Sequence, residues 1–107
     1  MIGTLLRVLV RPPLAEDVEH WREFGWHDEP DAAGIAAEHE AFRAAIADAG
    51  VEVVVAEPDP HNPDAVYVYD PALVTPRGAV VLRPGKEGRR AEAALITRDL
   101  EAAGVPV

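Results

Sequence analysis

Hydrophobic positions change rhythm several times along the 107-residue chain. Leu5-Leu6-Arg7-Val8-Leu9-Val10 is a short β-favouring run ended by Arg11-Pro12-Pro13. Proline donates nothing to a ladder, so a strand stops there. Both faces of the run are apolar except at Arg7, which predicts a central strand. Residues 31–49 switch to helical spacing. Ile35, His39, Phe42, Ile46 and Ala49 share one face, while Glu40, Arg43 and Asp48 point away. Asp31 suits the N-cap, and Gly50 sits where a glycine closes a helix. Residues 51–56 form a strand by their valine content. The Glu57-Pro58-Asp59-Pro60-His61-Asn62-Pro63 stretch is a loop. Short extended pieces follow at 66–68 and 73–74. Thr75-Pro76-Arg77-Gly78 is a turn with Pro and Gly where type I wants them, and 79–82 returns as a strand. Residues 92–103 make a second helix with Ala93, Ile96, Leu100 and Ala103 on one face, stopped by Gly104. Val105-Pro106-Val107 reads as the opening of a further strand.

Strands alternating with helices argue an α/β fold, and the pattern alone draws a small ferredoxin-like sandwich. The length implies one domain, residues 1–107, able to bury a core without staples. There is no linker, low-complexity segment or strong repeat. Residues 14–30 have no clean period, although a helical piece fits 15–24. This stretch carries His20, Trp21, Phe24, Trp26 and His27 among acids. Such irregular segments serve as lids. The alternative is that the aromatics cover a core edge or a partner surface. His20 and His27 match no standard metal spacing, and no metal or cofactor is implied. His39, on an apolar face, reads as a core-edge histidine.

A net charge of −9 argues against nucleic acid and anionic membranes as partners, because phosphate binding needs clustered Lys and Arg. It suits solubility, or weak steering of a cationic small molecule. The chain has no Cys, which excludes disulfides, and no Ser, so the usual nucleophiles are missing. Met1-Ile2-Gly3-Thr4 leads into an apolar run too short for a signal peptide or a membrane span. The expectation is a soluble cytoplasmic protein.

The chemistry gathers in residues 63–90. Asp64, Tyr67 and Asp70 recur every three residues between Pro63 and Pro71. A strand has period two and would turn Tyr67 away from both aspartates. A polyproline-like backbone has three residues per turn and would align all three. Two carboxylates and a ring on one side would grip a guanidinium, by paired acceptors and by the aromatic face. The alternative is that both aspartates cap turns beside prolines. Arg89 and Arg90 follow the Pro84-Gly85-Lys86-Glu87-Gly88 bend and precede a helix. Cations at a helix start oppose its dipole, which favours a ligand role such as bidentate carboxylate binding.

Asp64-Ala65-Val66-Tyr67-Val68-Tyr69-Asp70-Pro71-Ala72-Leu73-Val74, followed by Arg83-Pro84-Gly85 and Arg89-Arg90, resembles the N-terminal part of dimethylargininases. These belong to the amidinotransferase and arginine deiminase superfamily, the penteins. The resemblance runs from Leu6 to Val107. It implies a partial α/β propeller of about two ββαβ modules, in place of the ferredoxin-like sketch. It also implies a hydrolase that attacks a guanidinium carbon with a cysteine, using a histidine as acid and base. On that match Asp64 and Asp70 would hold the guanidinium. Tyr67, a phenylalanine in relatives, would line the pocket, and Arg89 would bind the amino-acid carboxylate. Residues 14–30 would be the lid. Tyr69 stands where some dimethylargininases have a carboxylate. The family's catalytic Cys and His lie downstream of Val107, and none of His20, His27, His39 and His61 matches the family histidine. The implied chain is thus part of an enzyme that needs a C-terminal partner. The alternative is a non-catalytic binding or oligomerisation module that binds an arginine-like ligand.

Overall fold

The computed structural model describes residues 4–107, and Met1, Ile2 and Gly3, which precede the first apolar run, lie outside it. Strand β1 (Arg7–Val10) pairs in parallel with β2 (Glu52–Val55), setting Arg7 opposite Glu52 and Val10 opposite Val55. Helix α1 (Ala32–Asp48) carries the chain between them. Asp31 is the N-cap by position: its backbone is extended and its carbonyl accepts from Ile35 N–H at 2.8 Å, but its side chain makes no cap bond. The far end closes as a Schellman motif. Gly50, at φ 88°, donates to Ala47 O, and Val51 N–H reaches back to Ile46 O.

A second unit is a hairpin followed by a helix. Strands β3 (Ala72–Thr75) and β4 (Gly78–Val81) form an antiparallel hairpin around Pro76-Arg77. Helix α2 (Glu92–Ala102) follows and closes on Gly104 with the same bonds, Gly104 N–H to Glu101 O and Val105 N–H to Leu100 O. Pro106 O then accepts from Ala79 N–H at 2.7 Å, so residues 105–107 run beside β4, but the strand expected there is not formed.

The core lies between α2 and the hairpin: Ala72, Ala79, Ile96 and Leu100, with Leu9, Val81 and Val105 against them. Arg11 couples the two units. Only 2% exposed, it donates to Asp99 Oδ2 on α2 and to Glu57 O after β2, both at 2.6 Å.

Three expectations are corrected. The four strands form two separate two-stranded sheets, not one sandwich sheet. Strand β1 is not central: among the described residues its second edge has no partner. Helix α1 buries none of its residues, and Phe42 is 55% exposed. A two-stranded sheet is too narrow to cover a helix face.

Candidate functional site

Three short helical turns build the site. Residues 63–70 are not polyproline-like. Pro63–Val66 is a 3-10 helix, followed by i to i+3 turns in which Tyr67 N–H donates to Asp64 O at 3.0 Å and Asp70 N–H to Tyr67 O at 3.1 Å. The expected extended pieces at 66–68 are absent for the same reason. The period of three survives, because a 3-10 turn also has three residues. Glu87–Arg89 is a second 3-10 turn. The third, Ala15–His20, opens the irregular segment and runs into further turns through Gly25.

The four expected ligand-binding residues fall into two clusters. In one, Arg89 is buried and nearly all of its donors are engaged. Its Nε and Nη2 donate to Glu92 Oε2 and Oε1 at 2.7 and 3.0 Å, a bidentate pair. Its Nη1 donates to Asp70 Oδ2 at 2.8 Å, and Nη2 also faces Tyr67 O at 3.4 Å. Four of the five guanidinium N–H donors are therefore used. The pKa of Arg89 is raised, first by the hydrogen bonds to Glu92 and then by Asp70. Glu92, 2% exposed, also accepts from Asn62 Nδ2 at 2.8 Å. The cationic charge expected to burden the α2 N-terminus is thus neutralised by the first residue of that helix. Asp70 Oδ1 has no hydrogen-bond partner among the described residues. The Tyr67 ring does not line a closed pocket: the residue is half exposed.

In the other cluster Asp64, 4% exposed, accepts from Trp26 Nε1 at 2.6 Å on one oxygen and from Lys86 Nζ at 2.7 Å on the other. Lys86 also donates to Phe24 O. Residues 15–26 lie over the other two turns. Asp17 Oδ1 accepts from His61 N–H at 2.7 Å, and His20 meets the His61 ring edge-on at 5.5 Å. His61 holds φ 65°, a left-handed conformation that its bond to Asp17 supports. The Phe24 ring packs on Gly88 so closely that a Cβ there would meet it at 2.9 Å.

Sequence reasoning missed Glu92, Lys86, Asn62 and the link from Trp26 to Asp64. Two signals were available. Glu92 stands three residues after Arg89, a spacing that pairs opposite charges. Lys86 is the one lysine in the chain and sits between two glycines beside the motif. The 38-residue span from Trp26 to Asp64 left no local signal.

No protein-family model matches the chain. A curated relative does: it is 38% identical to the N(G),N(G)-dimethylarginine dimethylaminohydrolase of Pseudomonas aeruginosa over 72 residues, 67% of this chain and 28% of the relative. Solved structures of dimethylarginine dimethylaminohydrolase superpose on nearly all of it. One, a Pseudomonas aeruginosa Cys-to-Ser variant complexed with citrulline, has a TM-score of 0.79 at 29% identity, covering 97% of this chain and 40% of that one. Another, a His-to-Gly variant carrying an S-methyl-L-thiocitrulline adduct, has a TM-score of 0.79 at 30% identity, with 96% and 40% covered. This is a dimethylargininase-like chain. It spans 28% of the length of that curated relative and about two fifths of the solved chains. Its fold is accordingly a partial pentein. The β3–β4–α2 unit has the ββαβ order of a module less its last strand, and β1–α1–β2 has the same order less its first strand. That repeat explains why strand–helix alternation alone suggested a ferredoxin-like sandwich.

Proposed function

We propose that this chain, as a single domain over residues 1–107, is the N-terminal part of a cytoplasmic guanidine-modifying hydrolase acting on arginine or methylated arginine. The observation that carries this reading is the similarity to dimethylarginine dimethylaminohydrolases over 96–97% of the chain, with a TM-score of 0.79. The complex of one such relative with citrulline supports an arginine-like ligand. Asp64 and Asp70 take the guanidinium, Tyr67 lines its face, and Arg89 takes the carboxylate through its remaining N–H. The chain has no cysteine, so on this reading these residues supply the ligand-binding groups and not the thiol nucleophile. No helix among the described residues is long and apolar enough to cross a membrane.

A second reading is a non-catalytic binding or oligomerisation module. It is favoured by the internal partners already held by Asp64, Asp70 and Arg89.

Calorimetric titration with arginine and dimethylarginine, on wild type and Asp70→Ala, tests the binding claim. A charged group left unpaired costs about 2–5 kcal/mol, enough to abolish weak binding in the variant. Wild-type heats indistinguishable from dilution would remove the ligand role. Turnover appearing only when a polypeptide bearing the missing Cys and His is added would separate the hydrolase from the module.

A further inference from the structure

Asp64 is too buried to stand as a lone carboxylate. A charge at that depth needs a counter-charge, and the neutral Trp26 indole supplies only a hydrogen bond. Lys86 supplies the charge. We propose that Lys86 is the resident cation of the Asp64 site, tying residues 21–26 down over it, and that a soluble cation reaches Asp64 by displacing the Lys86 ammonium. The identity of that cation as a guanidinium rests on the function proposed above. The tie rests on geometry alone.

Three observations carry it. The Lys86 side chain is 52% exposed while that of Asp64 is 5% exposed, so the ammonium can leave into water at far lower cost than the carboxylate can. The same ammonium donates to Phe24 O, so one departure breaks both the Asp64 pair and a hold on the overlying segment. On its outer side Lys86 lines a cavity of about 600 Å³ with Glu23, Phe24, His61 and Glu87. That cavity gives an incoming cation an acidic entrance. A guanidinium would exchange a point charge for a planar fork that pairs with both carboxylate oxygens. Lys86 therefore sets a threshold. Only a cation that binds Asp64 better than an ammonium held on the same chain gets in.

Lys86 is the chain's one lysine, so selective lysine labelling gives a single side-chain NMR signal that needs no variant. Adding arginine to wild type should move that signal to the free-lysine position, in step with the heat of binding. Arginine binding with the lysine signal unmoved overturns the displacement and leaves the guanidinium reading intact. Hydrogen exchange tests the tie without ligand. In Lys86→Met, amides of residues 21–26 and the Trp26 indole N–H should exchange about tenfold faster or more, the equivalent of one charge-assisted hydrogen bond, and Lys86→Arg should restore protection. Unchanged exchange in Lys86→Met overturns the tie. Faster exchange, with neither protein binding arginine, supports the tie and counts against the guanidinium reading.

Discussion

Arg89 shows how far a single side chain can be read. Its partners are two carboxylates and a carbonyl, and its side chain is nearly buried. Removing one member of a buried pair leaves an uncompensated charge, at a cost of about 3–5 kcal/mol. Arg89→Ala should lose that much in urea unfolding, because Glu92 would keep only the amide of Asn62. Arg89→Lys should recover part of it, since an ammonium cannot form the fork. A loss below about 1 kcal/mol would class the cluster with exposed ion pairs. The sequence supports a charge pair between Arg89 and Glu92, but not their burial, which depends on Asn62 and Asp70 folding in from a separate loop. His39 gives a pH prediction. Partial burial, and then the charge of Arg43, lower its pKa from 6.5. Folding thus favours the neutral ring. The contribution to stability is fully present above pH 6.5 and is lost as pH falls through the lowered value. Thermal melts of His39→Gln should therefore lose less stability than wild type on going below pH 6.5. Parallel pH profiles would show that His39 contributes no linkage.

Elements were most legible where local chemistry decides them. Gly50 and Gly104 mark the ends of α1 and α2, because only a left-handed residue completes each closing turn. The hairpin turn at Pro76-Arg77 was equally plain. Elements were misread where two backbones share a period, as with the 3-10 turns of residues 63–70, or where the outcome depends on a neighbour, as with the uncovered face of α1. The joint between units was not legible at all: Arg11 ended the first strand in the sequence, yet its side chain crosses 88 residues to α2. Two arginines approach Asp99 and differ in burial. Arg11 is 2% exposed at 2.6 Å, whereas Arg98 is largely exposed at 3.9 Å. Arg11→Met should cost about 3–5 kcal/mol and Arg98→Met about 0–1 kcal/mol in the same chemical denaturation. Equal losses would mean that Asp99 is solvated and the units are joined by apolar contact alone.

At the scale of the whole molecule, apolar surface and net charge oppose each other. Leu5, Leu6, Leu73, Val74 and Val80 are all about half exposed or more. Several of them border an apolar groove of about 750 Å³ between β1, β3 and α2. One edge of β1 is also unpaired among the described residues. Contiguous apolar surface with an open strand edge favours association. The charge of −9 on every copy resists it. Salt separates the two, because at about 0.15 M the screening length falls to about 8 Å and repulsion weakens while apolar burial does not. Sedimentation velocity of the isolated chain should therefore show association that grows with concentration and strengthens as salt is raised. The double variant Leu6→Asp, Leu73→Asp should sediment as a monomer under the same conditions, with an unfolding midpoint close to wild type, since both side chains are exposed. Association that weakens with salt would assign the contact to charge pairs instead. A wild type that stays monomeric even at high salt would mean that this apolar surface does not drive association, because screened repulsion no longer holds the copies apart.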